Sequence, residues 1–148
     1  MIENPKSYHA PMHTAEHVLN QTMVRMFGCE RSFSNHIERK KSKCDYHFQR
    51  NLTTDEIIEI NNQVNSILRS NLEVREEIIA LSDFEKLYPN IKSPEKAEDK
   101  VRIIHIGNYD ICPCSGEHVA NTAEVEQFEI TTTTFEEGVL RIRYKLKK

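Results

Sequence analysis

The chain has 148 residues, 38% of them hydrophobic and 29% charged, with a formal net charge of −3. That length fits one domain, residues 1–148, able to bury a core without disulfide or metal staples. The composition excludes a disordered chain, and the net charge excludes a general polyanion binder.

No apolar run is long enough to span a bilayer. The N-terminal "MIENPKSYHAPMHTAEHVLN" lacks the charged-then-apolar layout of a secretory signal, so a cytoplasmic protein with no membrane partner is expected. In a reducing compartment its four cysteines should be thiols or metal ligands.

From Met12 to Phe27, residues Ala15, Val18, Leu19, Thr22, Met23 and Met26 recur at helical spacing, and Gly28 ends the helix. "CDYHF" and the segment before it predict a short strand pair. "LTTDEIIEINNQVNSILRSN" predicts a longer helix. Thr53 or Thr54 caps it, Asp55 and Glu56 suit its positive end, and Ile57, Ile60, Val64, Ile67 and Leu68 form its apolar stripe. A strand is expected near "LEVREEIIAL" and a short helix at "SDFEKLY". "PNIKSPEKAEDK" reads as a loop and "VRIIHIG" as a buried strand. Gly107 to Gly116 reads as a loop, and "QFEITTTTFEEGVLRIRYKL" as a hairpin turning at Glu136 to Gly138. No repeat or linker interrupts the chain. Helix, strands, long helix and further strands make an α+β domain, with helices packed on an antiparallel sheet.

Two basic stretches stand against the negative total. One is "ERKKSK", with Arg39, Lys40, Lys41 and Lys43. The other is the C-terminal strand, where Arg141, Arg143, Lys145 and Lys147 alternate with Leu140, Ile142, Tyr144 and Leu146. Such a face is either a solvated exterior or a phosphate-binding surface.

The chemistry concentrates in "CPCSGEHV", Cys112 to Val119. Three residues separate Cys114 from His118, so both side chains can point at one ion. His13 and His17 stand at i and i+4 on one helix face, with Cβ atoms about 5–6 Å apart. If the fold joins these pairs, three histidines and one cysteine form a donor set suited to zinc. A rival reading takes "HTAEH" as the H-x-x-E-H pattern of inverted zinc proteases, with Glu16 as general base. It requires a further Glu ligand downstream and leaves Cys114 and His118 unexplained.

"HTAEHVLNQTM", "CPCSGEHVANTAEVEQFEI" and "GVLRIRY" resemble the editing domain shared by alanyl- and threonyl-tRNA synthetases, above all its freestanding short form of the AlaX type. That family carries HxxxH on an early helix, a late loop similar to P-C-G-G-T-H-V followed by N-T, and a strand with an R-I pair. The matching residues here are His13 and His17, then Pro113, Cys114, Gly116, His118, Val119, Asn121 and Thr122, then Arg141 and Ile142. "SNHIERKKSKCDYHF" and "LTTDEIIEINNQVN" fit the segments between. The chain departs from the family at Ser115 and Glu117, where relatives have Gly and Thr.

The resemblance implies a zinc-dependent hydrolase whose partner is mischarged tRNA, not DNA. It would cleave the ester joining serine or glycine to tRNA of the alanine type. Zinc would be held by His13, His17, Cys114 and His118. Glu117 would sit beside the metal and alter substrate choice or suppress activity. Thr14 would meet a serine hydroxyl or cap its helix. His36 would reach the pocket from a neighbouring strand or lie on the surface. Cys112 is expected as a partly buried free thiol, and His9, His47 and His105 as structural residues. Arg39, Lys40, Lys41 and Lys43 would contact tRNA phosphates or merely solvate a loop, and Arg141 and Arg143 would contact tRNA phosphates or face solvent. The chain starts almost at the HxxxH helix and shows no class II synthetase core, so it is expected to lack the extra N-terminal domain and to charge no tRNA. The alternative is a zinc-stabilised binding module of the same fold without the reaction, with oligomeric state open.

Overall fold

Helix α1 (Ala10–Phe27) opens the fold in the computed structural model, which describes residues 9–94 and 99–148. Its N-cap is His9, whose ring accepts from the Met12 backbone N–H at 3.1 Å, and Gly28 closes it in the left-handed conformation. The cap is therefore not Thr14. Met12, Ala15, Val18, Leu19 and Met23 are fully buried, and so are His13, Thr14, Glu16, His17 and Asn20 or nearly so. A helix that buries polar side chains along with its apolar stripe must give each of them a partner. This requirement already marks α1 as more than a packing element.

Strands β1 (Ser34–His36) and β2 (Ser42–His47) form the expected antiparallel pair. They join β6 (Gln127–Glu136) and β7 (Val139–Lys147) in a four-stranded antiparallel sheet of order β1-β2-β7-β6. The β6–β7 hairpin turns through Glu137 and Gly138, both at positive φ. Helix α2 (Thr54–Leu68) begins with a reciprocal capping box between Thr53 and Glu56. It buries Ile60, Val64 and Leu68, as the stripe predicts. Its Asn61 and Asn65 side chains accept from the backbone N–H groups of Ile130 and Phe128, at 2.9 and 2.8 Å. Those bonds cover the edge strand β6, which would otherwise present unpaired backbone.

A second antiparallel sheet holds β3 (Val74–Ala80), β4 (Lys100–Ile106) and β5 (Asp110–Pro113), in that order. Helix α3 (Leu81–Leu87) connects β3 to the chain before β4. Strand β4 feeds two cores: Val101 and Ile103 pack with Phe84, while Ile104 and Ile106 join the main core under α1 and α2. Its continuous apolar run follows from burial on both faces.

Two expectations change. The stretch from Gly107 to Gly116 is not all loop, because β5 lies inside it and pairs with β4 from Ile106–Asp110 to Ile103–Pro113. Asp110 and Cys112 hid this strand, since their burial comes from tertiary partners. There are also two sheets where one was expected. Of the loop "PNIKSPEKAEDK", residues 95–98 lie outside the described residues. The fold is α+β, and among the described residues no helix is long and apolar enough to cross a membrane.

Candidate metal centre

Helix α1 and the loop after β5 meet at a cluster of four donors. The ligand-capable atoms of His13, His17, Cys114 and His118 all lie within 4.8 Å of one another. The His13 and His17 rings, one helical turn apart, are edge to face at 4.9 Å. His118 stacks on His13 at 4.1 Å, and Cys114 Sγ is 3.2 Å from His13 Nε2. His13 and His17 are buried, whereas Cys114 and His118 are half-buried. The cluster therefore opens on its loop side.

The hydrogen bonds around the rings prepare them as ligands. His13 Nδ1 lies 3.0 Å from the Glu117 carbonyl oxygen. A carbonyl only accepts, so Nδ1 carries the proton and Nε2 keeps its lone pair. Thr14 Oγ1 lies 2.9 Å from His118 Nδ1 and accepts from the Val119 N–H. His118 Nε2 is buried without a hydrogen-bond partner. An unpartnered buried nitrogen among three other soft or borderline donors fits a metal ligand. On the far side, His17 Nδ1 is 3.4 Å from Asp110 Oδ2. Arg31 holds Asp110 through its two terminal guanidinium nitrogens, Nη1 and Nη2, at 2.7 and 3.3 Å. A carboxylate behind a histidine is the usual device for orienting a metal-binding imidazole.

The electrostatics point the same way. Burial opposes ionisation of Cys114, but the surrounding imidazoles, His118 first and then His13 and His17, outweigh it and lower the thiol far below its ordinary value, toward the thiolate. Burial and the neighbouring imidazoles depress His118 to about 4, keeping it neutral. Burial also works against a charged His17, yet Asp110 and Cys114 raise it to about 9. Without metal, His17 is an imidazolium paired with its neighbours, and a metal must displace that proton.

Strand β4 fixes the loop. Arg102 Nη1 donates to the carbonyls of Cys114 and Gly116, at 2.6 and 3.0 Å, and the Cys114 N–H returns to the Arg102 carbonyl. The Gly116 N–H points at Cys114 Sγ at 3.4 Å, which further favours the thiolate. A second carboxylate beside these donors is that of Glu16, with Oε1 3.5 Å from His13 Nε2.

Residues 101–143, which carry β4, the loop and most of the β6–β7 hairpin, match the family described as the Threonyl and Alanyl tRNA synthetase second additional domain. The chain carries that domain. Across 92% of its length it is 28% identical to an alanine–tRNA ligase of Aster yellows witches'-broom phytoplasma. It is 30% identical to the alanine–tRNA ligases of Pseudoalteromonas translucida and Borrelia hermsii, over 88% and 89% of its length. These alignments take in 16%, 15% and 23% of the relatives, so the chain spans less than a quarter of each.

Other residues of this second additional domain stand as follows. Glu117 is exposed and meets His13 through its carbonyl, so its carboxylate is not placed among the donors. Thr14 is buried, and its hydroxyl is taken up by His118 and Val119. His36 is not brought to the cluster: its ring is exposed and bonded to Glu38 at 2.9 Å. Cys112 stays a thiol, pushed up to about 11 by burial. His9 caps α1, His47 stacks on Phe33, and His105 bonds Glu77.

The basic face is partly neutralised. Asp45 takes two bonds from Arg141 and one from Lys43, and Glu129 pairs with Lys145 and Lys147. Arg143 has no carboxylate partner among the described residues, and it lines a cavity of about 90 Å³ with His36, Lys41 and Lys43. Arg39 and Lys40 are exposed.

Asp110, Arg31 and Arg102 were absent from the sequence-based expectations. Asp110 stands four residues before Cys114, a weak signal, while Arg31 and Arg102 reach the centre only through the fold.

Proposed function

We propose that this chain deacylates mischarged tRNA, hydrolysing the ester that joins serine or glycine to tRNA of the alanine type, with zinc held by His13, His17, Cys114 and His118. The observation that carries this reading is the set of three histidines and one cysteine, converging within 4.8 Å in a chain that carries the second additional domain. Zinc in such a set would polarise the ester carbonyl, acidify a water or anchor the amino group of the amino acid.

The protein's own contribution is orientation. Asp110 and Arg31 aim His17, the Glu117 carbonyl fixes the His13 tautomer, and Thr14 steers His118. Four protein donors close a zinc site, whereas catalysis needs an open position. The half-buried loop pair, Cys114 and His118, is the side able to yield, because α1 holds His13 and His17 in a fully packed helix. A second sieve of this kind serves translation in the cytoplasm, since a synthetic site cannot reject near-isosteres of alanine by binding alone.

The test is a deacylation screen over seryl-, glycyl- and alanyl-tRNA of the alanine type. Release of serine or glycine with alanine spared supports the proposal. Tight zinc with no release from any of the three would favour a zinc-stabilised binding module, the reading that a closed four-donor site keeps open.

A further inference from the structure

A second cavity, of about 830 Å³, lies beside the metal centre, and its lining includes Asp110, the carboxylate behind His17. The mechanism above uses none of its open surface. Phe33 and His47 form an aromatic platform there, with rings stacked at 3.9 Å and only 10° from parallel. Phe33 is a large apolar side chain left 48% exposed. The platform is held rigidly. The Phe33 N–H donates to the Asp45 carbonyl on β2, and the Ser32 N–H donates to Asn20 Oδ1 on α1.

The surrounding groups are polar and on balance positive. Arg31 and Asp110 cancel each other, which leaves Arg25 and Lys92 against Glu30. Arg25 is pinned over the Tyr109 ring and bonded to the Tyr109 carbonyl, so its charge has a fixed position. Asn90 and Asn108 bring side-chain amides, each able to donate and accept.

A flat exposed ring, two asparagines and two cations match three parts of a nucleotide: the base face, the base edge and the phosphate. An uncharged peptide would use the apolar ring but would leave both cations without a counter-charge. We propose that this cleft binds an unpaired nucleotide of RNA, with the base stacked on Phe33 and the phosphate facing Arg25 and Lys92. The inference deepens the tRNA reading above by assigning an RNA subsite distinct from the metal donors.

The experiment is an NMR titration of the isotope-labelled full chain with the single-stranded RNA tetranucleotide ACCA, uncharged. Shifts are expected at Phe33, His47, Lys92 and Asn108. Phe33→Ala should weaken binding roughly tenfold, the effect of losing one stacked base. Phe33→Tyr should restore it, and Lys92→Ala should weaken it more at low salt than at high salt. Phe33 is half exposed, so its variants should keep the native spectrum and zinc content. Unchanged affinity in Phe33→Ala, shifts confined to the Arg143 face, or no binding would overturn the proposal. A peptide library member that shifts these residues where RNA does not would also overturn it. The probe carries no ester, so a chain that fails to deacylate can still pass this test.

Discussion

Gly116 approaches His13 so closely that a Cβ on it would stand 2.3 Å from His13 Cε1 and 2.6 Å from Nδ1. His13 cannot retreat, since it is fully buried in α1, so the loop must yield against the hold of Arg102 on the Gly116 carbonyl. Gly116→Ala must therefore push the loop outward and carry Cys114 and His118 away from the helix pair. Zinc affinity, measured by chelator competition, should fall at least tenfold. Stability should fall by about 1–3 kcal/mol, the usual cost of overpacking. An alanine variant that binds zinc as the parent does would show that the loop is not positioned by this contact.

Arg102 acts on the same loop from the opposite side. Its guanidinium is the donor for two carbonyls within the Cys114–His118 segment, those of Cys114 and Gly116. Bonds from a charged donor contribute about 1.5–3 kcal/mol each. Arg102→Gln should lower zinc affinity tenfold or more, and Arg102→Lys should recover only part, because an ammonium lacks the planar fork. Equal affinities across the three proteins would remove Arg102 from the account.

Much of this fold can be read directly from the residues. The caps at Thr53 and Gly28, the α2 stripe and the alternation along β7 each carry local physical signals, and each matches an observed element. The strand β5 does not, because its pairing with β4 and its burial are tertiary effects. The candidate site divides in the same way. Both donor pairs show as spacings within one element. The residues that support them, Asp110, Arg31 and Arg102, lie on three separate segments that only folding brings together. Glu117 misled because adjacency to His118 says nothing about direction, and an irregular loop can turn its carbonyl inward and leave the side chain in solvent.

The two carboxylates should accordingly behave differently. Glu117→Thr should leave the deacylation rate within about twofold. Glu16→Gln, which alters a buried carboxylate 3.5 Å from His13 Nε2, should lower it about tenfold or more. The comparison needs single-turnover rates on zinc-loaded proteins. The opposite order of effects would return Glu117 to the chemistry.

Asp45 ties up two cations of the outer sheet face, so its charge has two readouts. The hydrogen bond from Arg141 chiefly, with Lys43 beside it, holds Asp45 below the ordinary carboxylate value despite burial. A folded value below the unfolded one adds stability above the unfolded value, and that stability is lost as pH falls through the folded one. Acid unfolding curves of the parent should contain this loss below about pH 4, and those of Asp45→Asn should lack it. The same substitution frees Arg141 and Lys43. RNA affinity should then rise and fall more steeply with salt, by about one to two phosphate contacts. An unchanged salt slope would place RNA elsewhere than this face.

The most direct test of the account is single-turnover release of labelled serine from seryl-tRNA of the alanine type. It would compare the zinc-loaded protein, the same protein stripped by chelator and then given one equivalent of zinc, and His17→Ala. The account predicts rapid release by the loaded protein, loss on stripping, recovery with zinc and background release by His17→Ala. Release at one common rate in all of these samples would contradict it.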